Sequence, residues 1–206
     1  MFELELHPKW KKRLEEAKLT SVKSLLQLDL QKKMKFLPGT QGGYYQIAED
    51  LQVFLYYDPQ ISWPWILRSF VQFQWPCSLS ERERRNIEML HQAGFQVAEI
   101  MAWGNRKILR LPCQGVLLLR AMTGLPLPCF LRQELNEKVR RHTILAAEQT
   151  LQALQEQGFF WPDSLPENFF VQEDGSIALI HVHSVRRLRL SAPQIQRQFE
   201  FFYSRL

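Results

Sequence analysis

The sequence predicts an α+β fold in two lobes, on three observations. Strand-like segments rich in Tyr, Phe, Leu and Val crowd the first 119 residues, around a single strongly amphipathic helical stretch within residues 80–94. After residue 120 the pattern is mostly helical. Elements segregated in this way suit α+β rather than a parallel α/β sheet, in which strands and helices alternate. The 206 residues, 46% of them hydrophobic, suffice for one good core or two small lobes. The expected division is an N-terminal lobe, 1–119, with N-terminal helices, an antiparallel sheet and one inserted helix. A hinge and a small, mostly helical C-terminal lobe fill 120–206.

The elements follow in order. Trp10, Leu14 and Ala17 recur at helical spacing and predict a helix over 8–18, with charges on its other face. Thr20 or Ser21 caps a second, short helix through Val22, Leu25 and Leu26. Pro38-Gly39 and Gly42-Gly43 read as turns, and Tyr44, Tyr45 and Ile47 as strand. Residues 51–57 form the next strand, joined through Glu49-Asp50. Residues 59–78, with Trp63, Trp65 and Trp75, receive no assignment. Ser80 is expected to cap the inserted helix and Gly94 to end it. Strands "AEIMAWG", "KILRLP" (after a turn at Asn105) and "GVLLLRAM" follow, the last apolar throughout and so buried. A helix over 132–157, a loop over 158–168, a strand pair about Asp174-Gly175 and a last helix from Ala192 complete the chain.

Bulk properties narrow the function. The longest apolar run, Val116–Leu119, is far too short to span a bilayer, and the first residues lack a signal-peptide pattern. Three scattered cysteines (Cys77, Cys113, Cys129) suit a reducing compartment. The expectation is a cytoplasmic protein. The net charge of +5 gathers at residues 9–13 and 186–190. Such runs are either solvated faces or contacts to an anionic partner, and peripheral association with a membrane surface, Trp10 included, is one such contact. Nucleic acid is not expected, because neither run carries aromatics at stacking spacing.

The chemistry-bearing motif is "WPDSLPEN", residues 161–168. Asp163 and Asn168 stand five apart, a helix precedes them, and a strand–turn–strand follows. That is the layout of a kinase catalytic loop, in which the aspartate orients the attacking hydroxyl and the asparagine holds Mg²⁺ through its carbonyl oxygen. Asp, Pro and Asn also favour plain turns, which is the alternative reading. Upstream, Gly42 and Gly43 in "GTQGGYY" are either a nucleotide cradle or a hairpin turn. Glu83 is either the helix glutamate of a kinase or a first-turn carboxylate favoured by the helix dipole. Arg120–Met122 fall where adenine would meet the hinge backbone. His181 and His183 alternate on an expected strand, so they share a face, as a structural pair, as transition-metal ligands or as an anion contact.

Together "LTSVKSLLQL", "PGTQGGYY", "E-x-x-x-I-x-x-L-x-x-A-G" and "DGSIALIHVHSVRRLR" resemble the bacterial lipopolysaccharide-core kinases, which phosphorylate heptose or Kdo sugars, over roughly residues 19–200. The resemblance implies a two-lobed protein-kinase-like fold with a truncated C-terminal lobe. It also implies ATP with Mg²⁺ and a glycolipid acceptor at the inner face of the inner membrane. It assigns Asp163 to the base position and Asn168 and His181 to the metal positions. Gly42, Gly43, Tyr56, Glu83, Arg120 and Met122 would be the nucleotide-binding residues. Three departures stand out. Tyr56 replaces the phosphate-binding lysine, His181 replaces the metal-binding aspartate, and Trp161-Pro162 replace the loop His-Arg. Losing lysine and carboxylate removes several kcal/mol of transition-state stabilisation from a reaction that depends on it.

The sequence therefore reads as a pseudokinase, with a binding or regulatory role toward an anionic glycolipid or an envelope-assembly enzyme, and with no cofactor. One alternative is an active sugar kinase using ATP and Mg²⁺, with Arg68, Lys107 or Arg120 in place of the lysine and Glu167 or Glu173 near the metal. Another is a structural interaction module without nucleotide.

Overall fold

A computed structural model describes residues 2, 4–28, 32–35, 41–61, 67, 76–108, 111–188 and 190–206. The expected turn at Pro38-Gly39, the tryptophans at 63, 65 and 75, Arg68 and the side chain of Lys107 lie outside the described residues. The chain forms two compact units. The first comprises Met1–Arg85 and Glu99–Ala121, the second Asn86–Ala98 and Met122–Leu206.

In the first unit the strand Leu51–Asp58 (β4) is apolar at nearly every position because both of its faces are covered. Its neighbours are Gln41–Ala48 (β3) and Leu111–Arg120 (β6), and beyond them lie Lys32–Lys35 (β2), Ile100–Ile108 (β5) and Glu5–Leu6 (β1). The six strands run in the order β1-β5-β6-β4-β3-β2, every pair antiparallel. Side chains alternate between the two faces. Leu51, Val53, Leu55, Val116 and Leu118 pack against Trp10 and Leu14 of helix α1 (Pro8–Glu16) and Val22 and Leu25 of α2 (Val22–Leu26). Ser21 caps α2 with its hydroxyl, as expected.

Three local expectations fail here. Gly42 and Gly43 do not turn: they sit inside β3, paired with Met34 and Lys33 on one side and with Tyr56 and Leu55 on the other. Asn105 does not turn either. It pairs with Gly115 within β5, so the three strands expected over 98–122 are two long ones. Trp10 is only 6% exposed and lies beneath Lys9 and Arg120, so it offers no ring to a membrane.

The opposite face of the sheet holds the helix Leu79–Gln92 (α3) by its N-terminus. Asp58, Gly115 and Asn105 lie side by side across β4, β6 and β5. Asp58 accepts from both the backbone N–H and the hydroxyl of Ser80, at 2.8 and 2.7 Å. Asn105 accepts from the Ser78 hydroxyl at 3.0 Å and donates to Glu81 at 2.9 Å. The capping side chain is Ser78, whose hydroxyl takes the Glu81 N–H at 3.1 Å, not Ser80 as its spacing suggested. Free N–H groups at a helix start need such acceptors; Asp58 of the sheet supplies one and Ser78 another. Glu81 is further held by Arg84 and Arg85 at 2.9 and 2.6 Å. At the far end of α3, Gly94 takes φ 89°, as its expected closing role requires.

The second unit is mostly helical. The helix expected over 132–157 is two: Leu127–Gln133 (α4) and Glu137–Glu156 (α5). Glu134 leaves the helical region at ψ 119°, and Asn136 caps a fresh start by accepting from Lys138 N at 3.0 Å. Leu125–Pro126 (β7), Phe169–Val171 (β9) and Ile177–Leu179 (β10) form a small antiparallel sheet. Phe159–Phe160 (β8) pairs with Arg186–Arg187 (β11), and Ala192–Tyr203 (α6) follows.

The packing at the start of α3 makes two predictions. A Cβ at residue 115 would overlap the hydroxyls of Ser80 and Ser78 and sit 2.7 Å from Ser78 Cβ. Gly115→Ala is therefore expected to cost about 1–3 kcal/mol, read as a Tm drop of about 2–4 °C per kcal/mol. Burial opposes the charge on Glu81, but hydrogen bonds from Arg84, Arg85 and Asn105 outweigh it and bring the carboxyl down to about 2. A depressed folded value gives stability that is present above the unfolded value of 4.5 and lost as pH falls toward 2. Glu81→Gln should lose about 1–2 kcal/mol near neutrality, allowing for solvent screening. Urea titrations of the two proteins should converge as pH drops through that window.

Candidate functional site

In the first unit the candidate residues gather on the α3 face of the sheet. Phe54, Tyr56 and Asp58 alternate with the inward-facing Val53 and Leu55, so they point toward α3. Tyr44, Phe54 and Tyr56 make an edge-to-face series, with centroids 4.8 Å apart at each step. Gly42, opposite Tyr56 across β3 and β4, adds no side chain beside that ring. Tyr56 is 1% exposed. Burial, followed by the charges of Glu83, Asp58 and ionised Tyr44, pushes its phenol well above its ordinary range. Tyr56 is thus a neutral, protonated group at the place where the resemblance puts lysine. Glu83, the expected partner of that lysine, is buried and lies close enough for its charge to act on the phenol.

Arg120 is committed elsewhere. Its guanidinium lies over the Trp10 ring at 5.6 Å and 3.7 Å from Glu99, and its backbone N–H donates to Glu99 O at 2.9 Å. As a substitute for the lysine it would have to leave these partners. The segment preceding Gly42 and Gly43, residues 36–40, lies outside the described residues.

In the second unit the loop 161–168 is tightly built. Trp161, at the expected histidine position, is fully buried, stacked on Phe169 at 5.3 Å, and Phe169 in turn meets Phe202 of α6 at 5.1 Å. A buried glutamine pair completes this packing: Gln198 donates to Trp161 O at 3.0 Å and accepts from Gln155 at 3.1 Å. The carbonyl of Asp163 accepts from Leu165 N at 2.7 Å and from Asn168 Nδ2 at 3.0 Å. Asn168 therefore spends its amide nitrogen on the loop, and Oδ1 is the acceptor left on that side chain. The Asp163 carboxylate is exposed.

Ile180 N donates to Asn168 O at 3.0 Å, which brings His181 next to the same loop. Asp163, Asn168 and the residue before His181 thus form one hydrogen-bonded constellation. The expected alternation of His181 and His183 along a strand is wrong. The strand β10 ends at Leu179, and His181 adopts left-handed φ 55°, ψ 43° ahead of a single 3₁₀ turn, Val182–Ser184. Such a conformation costs a residue with a Cβ about 1–2 kcal/mol. Asn86 secures the turn, donating to Val182 O at 2.7 Å and Val185 O at 3.0 Å. Met122 opens this unit's second segment, half-buried. Glu167 and Glu173 are both exposed. Among the described residues no three His, Cys, Asp or Glu side chains gather as a metal-ligand group.

Asn86, Ser78, Asn105 and the Gln155–Gln198 pair escaped the sequence reading. Asn86, Gln155 and Gln198 are polar residues within helical segments, and that was the available signal; Ser78 lies in the unassigned stretch and Asn105 at an expected turn.

A family model described as the lipopolysaccharide kinase (Kdo/WaaP) family matches residues 34–202. Among solved structures, the chain is similar to WaaP in complex with acyl carrier protein, with TM-score 0.65 and 14% identity, over 98% of this chain and 80% of that one. It is also similar to WbdD, with TM-score 0.53 and 22% identity, over 85% of this chain and 37% of that one. A co-crystal of WbdD with a kinase inhibitor gives TM-score 0.52 at 22% identity, over 84% and 36% of the two chains. The chain thus spans little more than a third of WbdD, and at these identities the likeness concerns the fold. No curated protein matches by sequence.

The buried phenol makes a prediction. A tyrosine raised by folding contributes stability that is complete below its unfolded value, about 10, and is lost as pH rises above it. The 295 nm absorbance difference between the native protein and Tyr56→Phe should stay flat through pH 10. It should appear only as alkaline unfolding exposes Tyr56.

Proposed function

We propose, from the premise that this chain belongs to the lipopolysaccharide kinase (Kdo/WaaP) family, that it is a pseudokinase with a binding or regulatory role in envelope glycolipid assembly. The observation that carries this reading is Tyr56. A triphosphate needs a cation beside it, and the position that would supply one holds a buried, uncharged phenol. His181 adds to the case, because Mg²⁺ takes oxygen ligands and an imidazole offers only nitrogen. The residues present therefore do not fit magnesium-ATP in the manner of a catalytic kinase, and no phosphoryl-transfer step is derived through it. The complex of WaaP with acyl carrier protein supports a protein partner as a further role. The chain's setting in this reading is the cytoplasmic face of the inner membrane; no helix among the described residues is long and apolar enough to cross a membrane.

A second reading has one observation in its favour. The 163–168 loop keeps an exposed Asp163 carboxylate and a fixed Asn168, the two groups an active sugar kinase would retain. In that case ATP and Mg²⁺ would be its cofactors.

Thermal shift with ATP, with and without Mg²⁺, separates the readings. Stabilisation independent of the metal is expected for the pseudokinase, a metal-dependent rise marks an enzyme, and no shift marks a module without nucleotide. ATP turnover with a lipopolysaccharide acceptor should be no higher for the native protein than for Asp163→Ala. Acceptor phosphorylation that disappears in Asp163→Ala would overturn the pseudokinase.

A further inference from the structure

The second unit carries an apolar and basic surface that neither the proposed nucleotide residues nor the 163–168 loop uses. Leu135, in the break between α4 and α5, is 94% exposed, and Val139 and Leu145 on α5 are 38% and 48% exposed. Every residue from 137 to 142 is exposed, and the first buried residue of α5 is Thr143. The opening turn and a half of the helix therefore projects beyond the core that Ala147, Leu151 and Leu154 join. At 3.6 residues per turn, Lys138, Arg141, His142 and Leu145 fall on the side opposite that buried stripe, at spacings of three, four and seven. Arg132 is exposed on α4, and Arg140 is exposed on the other side of α5, in line with the buried stripe. Of the two nearby acids, Glu137 is already paired with Arg141 at 3.0 Å. The corner combines a protruding aliphatic group with an excess of cations.

We propose that the α4–α5 corner is a membrane-docking tip, seated on an anionic bilayer with Leu135 at the acyl boundary and Lys138 and Arg141 on lipid phosphates. Charge complementarity selects this occupant. Basic side chains reach headgroups while their aliphatic stems and the neighbouring leucines meet the apolar layer. Each cation near such a surface adds about fivefold to binding. The N-terminal helix is a weaker candidate despite its basic run. Its large apolar side chain, Trp10, is buried, whereas Leu135 is 94% exposed. The inference rests on the envelope-glycolipid reading for its setting. It is tested with vesicles that contain neither lipopolysaccharide nor nucleotide, so its failure and the failure of that reading are separate results.

The test is flotation of the full chain with vesicles of phosphatidylglycerol and phosphatidylcholine against vesicles of phosphatidylcholine alone. Binding is expected only with the anionic lipid, and should weaken as salt is raised and the Debye length shortens. Leu135→Asp and Lys138→Glu/Arg141→Glu should each weaken binding about fivefold or more while leaving circular dichroism unchanged. Leu135→Trp should give a blue-shifted emission increment over the native protein when anionic vesicles are added. Undiminished binding by these variants overturns the proposal, as does loss in Lys11→Glu/Lys12→Glu instead. So does a folded native protein that ignores anionic vesicles, the outcome expected if the corner serves a protein partner.

Discussion

The candidate site of the first unit depends on one row of polar contacts, where Asp58, Gly115 and Asn105 meet the start of α3. The Ser80 N–H and the hydroxyls of Ser78 and Ser80 donate directly into the sheet, and Ser78 takes the Glu81 N–H. Gly115 permits the approach, since any side chain there would occupy the space of the two serines. With its first turn held, α3 places Glu83 one turn from Ser80, against the same sheet face as Tyr56. Tyr56 and Glu83, each 1% exposed, are thereby held on one face of the sheet.

In the second unit a comparable economy governs the 163–168 loop. One backbone carbonyl, that of Asp163, accepts from both the loop and Asn168, and the backbone of Asn168 then fixes Ile180. The aromatic series Trp161, Phe169 and Phe202, with the Gln155–Gln198 pair, packs the start of this loop. The loop is held by packing and hydrogen bonds that leave the Asp163 carboxylate exposed. Geometry and reactivity are therefore separable here: packing needs volume and hydrogen-bond satisfaction, whereas phosphoryl transfer needs charge at fixed points.

Much of this was legible from residues alone. Helical spacing located α1, α3 and α6, and turn residues located the β3–β4 and β9–β10 connections. Asp163 and Asn168 were recognisable because their spacing is itself the constraint. Misreadings came where a residue's usual habit was overruled by its neighbours. Gly42, Gly43 and Asn105 favour turns in isolation, yet ladder pairing with the strands next to them in the chain keeps all three within strands. The break at Glu134–Asn136 was missed because apolar spacing runs on across it.

By itself the sequence determined the order of elements and the loop that holds Asp163 and Asn168. These follow from local spacing and residue identity, which need no partner to be read. Only the tertiary structure decided that Tyr56 is buried and uncharged beside Glu83, that His181 turns left-handed, and that Arg120 is committed to Trp10 and Glu99. Burial, charge state and hydrogen-bond partner belong to pairs of residues far apart in the chain, and they acquire values only when folding brings those pairs together.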